Sequence, residues 1–145
     1  MNRYEELAEE LLSAMDKHRH LPPEPISATV RGEMAVMRLL SMEGGGMSAG
    51  AIAQELKMTT SRIAAVLNSL EKKNMITRSL DAQDRRRVLV ELTETGKTTC
   101  LARREKAKQH LACMLMRLSE EDAGIYVRLA EQLFGFNGEF PREEV

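Results

Sequence analysis

Cysteine is scarce in this chain of 145 residues: there are two, Cys100 and Cys113. Two are too few for a disulfide framework. Both fall in one predicted helix, and at 1.5 Å per residue they stand about 20 Å apart. An intrachain bond needs Cα atoms within about 7 Å. They read first as small buried hydrophobes and second as a thiol switch between chains. Metal ligands are equally sparse. His18 and His20 are two apart, which does not put them on one helix face, and His110 stands far along the chain. No Cys or His cluster has zinc-ligand spacing, so neither a metal nor a cofactor is expected. No nucleophile-and-base arrangement is visible, and the chain does not read as an enzyme. No apolar run approaches the ~20 residues that span a bilayer. The first residues, MNRYEELAEELL, are acidic and lack a signal-peptide core. The expectation is a cytoplasmic protein with no membrane contact. No internal repeat or low-complexity tract is present.

What is there is a globular composition, 43% hydrophobic and 30% charged, in one domain-sized unit. The pattern is helical almost throughout. Over Asn2 to Arg19, Tyr4, Leu7, Ala8, Leu11, Leu12 and Met15 form an apolar stripe that needs a partner. Leu21-Pro22-Pro23-Glu24-Pro25 stops that helix. A second helix, Thr29 to Met42, carries Val30, Met34, Met37 and Leu40 on one side, and Gly44-Gly45-Gly46 ends it. Ser48 suits the N-cap of a short third helix, Ala49 to Leu56, with Ile52, Ala53 and Leu56 inward. Lys57-Met58 is a turn. Thr93 caps a long fifth helix, Glu94 to Arg117. Its steps of four and three from Cys100 through Arg104, Ala107, Leu111 and Met114 to Leu118 make a coiled-coil-like seam with one charged break. Ser119 and the acids after it open a last helix, where Tyr126, Leu129, Ala130, Leu133 and Phe134 are expected to be buried. From Gly135 the chain is expected to be loose.

The centre of the chain, Thr59 to Lys97, carries the chemistry. Thr59 caps an amphipathic helix to Lys73, with Ile63, Val66, Leu67 and Leu70 inward. Asn74 suits the left-handed residue that ends such a helix. A hairpin follows, its strands about Met75 to Leu80 and Arg87 to Leu92, its tip Asp81 to Arg86. A short strand near Gly46-Met47 would pair with it. From Lys57 to Val90 eight basic residues face three acids, a balance of +5 within a chain whose net charge is −1. A basic patch on a helix followed by a hairpin is the footprint of a winged helix-turn-helix on DNA; a solvated charged face is the plainer reading.

The segment DAQDRRRVLVELTETGK, Asp81 to Lys97, resembles the wing signature of MarR-type transcriptional regulators: Asp84, Arg86, the strand Val88 to Leu92, Thr93 and Gly96. Leu70-Glu71-Lys72-Lys73, Ile76 and Arg78 are similar too. Asn74 stands where the family usually has Gly, and Ala65 and Ser69 where it often has polar or basic residues. The resemblance implies a mainly α fold with a small β-wing. Residues 29–92 would form the winged helix-turn-helix lobe, residues 1–21 and 93–136 a helical dimerisation region, and 137–145 a loose tail. It implies a homodimer on double-stranded DNA with a palindromic operator, acting as a repressor relieved by a small-molecule effector. Recognition helices would enter major grooves and wing tips the flanking minor grooves. No reactive Cys stands near the N-terminus, so organic-peroxide sensing is not expected.

Individual roles follow. Thr60, Ser61 and Arg62 lie at the N-terminus of the fourth helix, which favours phosphate. Arg62 is placed to read guanine, or to balance Asp84 at the surface. Asn68, two turns on, is a further contact, and Ser48 either binds phosphate or only caps. Arg86 at the wing tip suits a narrow minor groove, with Arg85 and Arg87 on phosphates. The resemblance implies that Asp84 braces basic groups of the lobe. Arg78 joins the DNA face or, with Lys72 and Lys73, is merely solvated. Met15, Met34 and Met37 line a ligand pocket or, like Met114, are ordinary core. Two other classes compete: a winged-helix protein-interaction module, and a thiol-based redox sensor on the same scaffold.

Overall fold

The computed structural model describes residues 2–18 and 28–135. The expected proline stop, His20 and the tail beyond Gly135 lie outside the described residues. Nine elements follow one another: α1 (Arg3–His18), α2 (Ala28–Glu43), β1 (Met47–Ser48), α3 (Ala49–Leu56), α4 (Thr60–Lys72), β2 (Ile76–Leu80), β3 (Val88–Leu92), α5 (Glu94–Leu115) and α6 (Glu120–Phe134). They form two compact units, residues 1–23 with 104–145 and residues 24–103, so that α5 runs from one into the other.

In the central unit α3 and α4 each start where a hydroxyl can cap them. Ser48 Oγ accepts the Ala51 N–H at 3.1 Å and Thr59 Oγ1 the Arg62 N–H at 3.2 Å. Each such cap is worth about 1 kcal/mol. Lys57 takes the left-handed conformation at φ 53° to close the α3–α4 turn, and Asn74 does so at φ 58° after α4. The sheet order is β1-β3-β2, all antiparallel, with Met47 opposite Val90 and Leu80 opposite Val88. The weak signal at Gly46-Met47 is therefore a real strand, shifted to Met47–Ser48.

The core of this unit joins Val36, Met37, Leu39 and Leu40 of α2 to Ile52, Ile63, Val66, Leu67, Leu70, Ile76 and Val90. The inward set expected for α2 needs correction: Val30 is exposed and Met34 half-buried, while Val36 and Leu39 are buried. The cause is that α2 is packed by α3, α4 and β3 at once, so adjacent positions are covered and no single stripe describes it. Gly32 permits the close approach to α4, since a methyl group there would lie 3.1 Å from Val66 Cγ2.

In the other unit, Leu7, Ala8 and Leu11 of α1 pack with Ala112 and Leu115 of α5 and Ala123, Val127 and Ala130 of α6. Tyr4 spans it, its hydroxyl donating to the Leu118 carbonyl at 2.8 Å. The charged break of the α5 seam, Arg104, is held by Glu9 at 2.7 Å and by Asp16. Two expectations change here. The buried residues of α5 are Ala112 and Leu115, while Met114 and Leu118 are exposed. On α6, Tyr126, Leu129 and Leu133 are 46%, 48% and 74% exposed. Helical spacing finds an apolar arc; α1 covers only the edge of it made by Ala123, Val127 and Ala130.

Gly96, near the start of α5, is fixed by crowding: a Cβ there would stand 2.2 Å from the Met75 carbonyl oxygen. Gly96→Ala should therefore lower stability by about 3 kcal/mol, since the obstacle is backbone that cannot turn aside. Gly44→Ala meets only its φ of +69° with nothing nearby, and should cost about 1 kcal/mol. Urea unfolding of the two variants checks this; equal stabilities would contradict the packing.

Candidate nucleic-acid interface

The buried face of α4 is Ile63, Val66, Leu67 and Leu70. At 100° per residue the opposite pole is the row Ser61, Ala65, Asn68 and Lys72, all exposed. A flanking row, Arg62, Ser69 and Lys73, turns toward α2. There a methyl group on Gly32 would lie 3.8 Å from Arg62 Nη2. Arg62 thus stands beside the outward row, at the end of α4 where Thr60 and Ser61 begin the helix and its dipole is positive.

The flank holds a latch that the sequence did not announce. Glu33 of α2 is the one buried charged residue among those described, with its side chain 8% exposed. Ser69 Oγ donates to its Oε1 at 2.5 Å, and Lys73 Nζ reaches Oε2 at 2.8 Å and Oε1 at 3.1 Å. Burial pushes this carboxyl up. The hydrogen bonds from Lys73 and Ser69, with the charges of Lys73 and Arg103, outweigh that and hold it below the ordinary value. The only hint in the sequence was an acid inside an apolar helix.

Arg78, on β2, does not simply face solvent. Its Nε donates to Glu71 Oε2 and its Nη2 to Asn68 Oδ1, both at 2.7 Å. The bond from Arg78 holds the Glu71 carboxyl below its ordinary value. Arg78 therefore ties the base of the hairpin to the outward face of α4.

The wing tip is folded by its aspartates. Asp81 Oδ1 accepts the Gln83 N–H at 2.9 Å, and Asp84 Oδ1 accepts the Arg86 N–H at 3.1 Å. These are local turns in which a side chain replaces a backbone acceptor. Arg87 and Asp81 close the loop through the Arg87 N–H to the Asp84 carbonyl and the Asp81 N–H to the Arg87 carbonyl, both 3.0 Å. Asp84 also stands 3.8 Å from Arg86 Nε, yet the Arg86 side chain is 96% exposed. Arg85 and Arg87 are exposed beside it. Ser48, half-buried, spends its hydroxyl on the α3 cap.

The remaining candidates scatter. Met37 is core of the central unit and accepts at its carbonyl from Cys100 Sγ, 3.7 Å away. Met15 packs on the other core, and Met34 is half-buried. Burial pushes the Cys100 thiol up despite Arg103 and Arg38 nearby; that disfavours the reactive thiolate. Both cysteines are free, and Cys113 is exposed. Among the described residues no group of three or more His, Cys, Asp or Glu could hold a metal, and no helix is long and apolar enough to cross a membrane.

Comparison with known proteins agrees with this geometry. Residues 29–87 match the model of the MarR family. A Thauera aromatica protein named for transcriptional regulation of the hcr operon is 33% identical over 97 residues, 66% of this chain. The match spans 58% of that relative's length. The fold is that of MepR, a transcription regulator of the Staphylococcus aureus multidrug efflux pump MepA (TM-score 0.63, 24% identity, 86% of this chain and 88% of that one). It is also that of Streptococcus pneumoniae FabT in complex with DNA (TM-score 0.61, 22% identity, 86% and 84%).

The latch has a pH signature. The Glu33 carboxyl is lowered in the folded chain, so its contribution is complete above the unfolded value, near 4.5, and is lost as pH falls through the folded value. Glu33→Gln should cost about 1.5–3 kcal/mol at pH 7. The gap from wild type should close as pH falls through the lowered folded value. Urea unfolding at pH 7, 5, 4 and 3 measures it, and a gap independent of pH would contradict an ionised latch.

Proposed function

Because the chain belongs to the MarR family of winged helix-turn-helix transcriptional regulators, we propose that it is a homodimeric repressor that binds a palindromic operator in double-stranded DNA and releases it on binding a small ligand. The observation that carries the reading is the pairing of two exposed surfaces. One is the outward row of α4, ending at Lys72, and the other is a hairpin tip with three exposed arginines, Arg85 to Arg87. A helix of that kind fits a major groove, and an arginine tip fits the narrower minor groove. Phosphates add to both through Ser61, Thr60 and the positive end of α4.

The second copy is proposed from α6. Tyr126, Leu129 and Leu133 lie exposed on one chain, and a second copy covering them would remove that apolar surface from water. Two lobes would then meet two half-sites about one helical turn apart. The ligand's place is not assigned to the methionines, since Met37 is buried in the core of the central unit and Met15 packs on the other core. A redox sensor draws no support from Cys100, whose thiol is pushed away from the reactive form.

Titration of operator and scrambled duplexes at several salt concentrations tests the DNA reading. Arg86→Ala should weaken binding to both and reduce the salt slope by about one ion. Arg62→Ala should cost about 1–3 kcal/mol on the operator and less on scrambled DNA. Unchanged affinity and slope in Arg86→Ala would take the wing off the DNA and favour a protein-contact role for the lobe.

For assembly, sedimentation equilibrium should give a dimer mass at micromolar concentration. Leu129→Glu, at a position half-exposed on one chain, should give a folded monomer. A monomeric wild type would contradict the dimer.

A further inference from the structure

We infer that Asn68 acts as a hydrogen-bond donor toward DNA and selects a keto base, guanine or thymine, over adenine, because Arg78 occupies its carbonyl. The inference rests on the DNA-binding reading above and names which base that surface prefers.

An asparagine amide has one acceptor oxygen and a two-donor nitrogen. Its usual partner in the major groove is adenine, which needs both: the oxygen accepts from N6 and the nitrogen donates to N7. In this chain the oxygen is engaged. Arg78 Nη2 lies 2.7 Å from Asn68 Oδ1. A guanidinium can only donate, so the oxygen must be the atom that faces it, and the NH2 group is turned away from Arg78.

Arg78 is held from two sides. Its Nε is bound to Glu71 Oε2 at 2.7 Å, and its backbone is registered opposite Val90 in the ladder. Glu71 is held below the ordinary carboxylate value by that bond, so it remains ionised and anchoring at neutral pH. The oxygen of Asn68 keeps a second lone pair. Any adenine amino group approaching it would compete with the guanidinium already donating to that oxygen. Guanine O6 and N7, or thymine O4, present acceptors instead, which the outward-turned Asn68 NH2 can serve.

Position favours the same role. Asn68 is exposed in the row with Ser61, Ala65 and Lys72. Ala65, one turn before it, is small. Together Asn68, Arg78 and Glu71 make a reading head whose hydrogen-bond polarity is set by β2 and presented by α4.

Selection of bound sequences from a random duplex pool, with the full chain and three variants, tests this. Wild type should show one position per half-site enriched in guanine or thymine, by about tenfold over adenine. Asn68→Ala should flatten that position and leave the others. Arg78→Ala frees the oxygen and should raise adenine there to equal or exceed the keto bases. Glu71→Ala, which loosens Arg78 without deleting it, should move the preference the same way by less. Adenine or cytosine at the Asn68-dependent position in wild type overturns the inference. So does a uniform loss of affinity in Asn68→Ala, which would mean a phosphate contact, or an unaltered preference in Arg78→Ala. A wild-type pool with no consensus overturns the DNA reading and this inference together; a consensus that Asn68→Ala leaves intact overturns this inference alone.

Discussion

The structure depends on one junction, where α4 ends, β2 begins and α5 starts. Asn74 turns the chain with a positive φ of 58°. The Met75 N–H then reaches the Leu70 carbonyl at 3.0 Å, so the last turn of α4 closes on the root of the hairpin. Thr93, at the other root, makes two bonds to that turn and a third to the start of α5. Its N–H donates to the Met75 carbonyl at 3.0 Å, its hydroxyl donates to the Asn74 carbonyl at 2.6 Å, and that hydroxyl oxygen accepts the Gly96 N–H at 2.9 Å. Each bond contributes about 1 kcal/mol net, but their larger effect is geometric. They fix the direction of the wing relative to the helix beside it. The Leu-Thr-x-x-Gly pattern then has a physical content: threonine because one hydroxyl must donate and accept, glycine because the Met75 carbonyl fills the space of a side chain.

That fixed frame sorts the charges. Lys73 is committed to Glu33, and Arg78 to Glu71 and Asn68. Asp84 and Asp81 are turned into the backbone of the wing tip. Four acids of the lobe, Glu33, Glu71, Asp81 and Asp84, are thereby spent on neighbouring groups. Exposed positive charge stands at Lys57, at Arg62 and Lys72 on α4, and at Arg85, Arg86 and Arg87 on the wing. An interface of two prongs on a stiff base suits duplex DNA, since each contact holds the other in register.

How much of this was legible in the sequence depends on the range of the interaction. Caps, turns and the hairpin were legible because they are local. Ser48, Thr59, Asn74 and Ser119 each act within a few residues of where they stand, as Thr93 does in capping α5 through Gly96, while its bonds to Asn74 and Met75 cross the hairpin and were not legible. The core of α4 was legible because one face of it is covered and the other is not. The core of α2 was not, because packing on several sides erases a single stripe. On α6 the pattern gave an apolar arc wider than the chain itself covers. The Glu33–Ser69–Lys73 latch and the Glu71–Arg78–Asn68 bridge were invisible for another reason. They join residues that are 36 and 40 apart in the first case and 7 and 10 in the second. A lone acid or a lone arginine does not declare its partner. The sequence left Arg78 either on the DNA face or merely solvated; its bonds to Glu71 and Asn68 show only in the fold.

The central claim is that the outward row of α4 and the wing tip form one DNA-binding surface. Amide-resolved NMR of the full chain, titrated with a duplex selected by the protein, tests it most directly. The account predicts that the largest shifts fall at Ser61, Ala65, Asn68 and Lys72 and at Asp84 to Arg87, with Ile52 and Val90 in the core little changed. Binding whose shifts are confined to α1 and α6, with α4 and the wing silent, would contradict it.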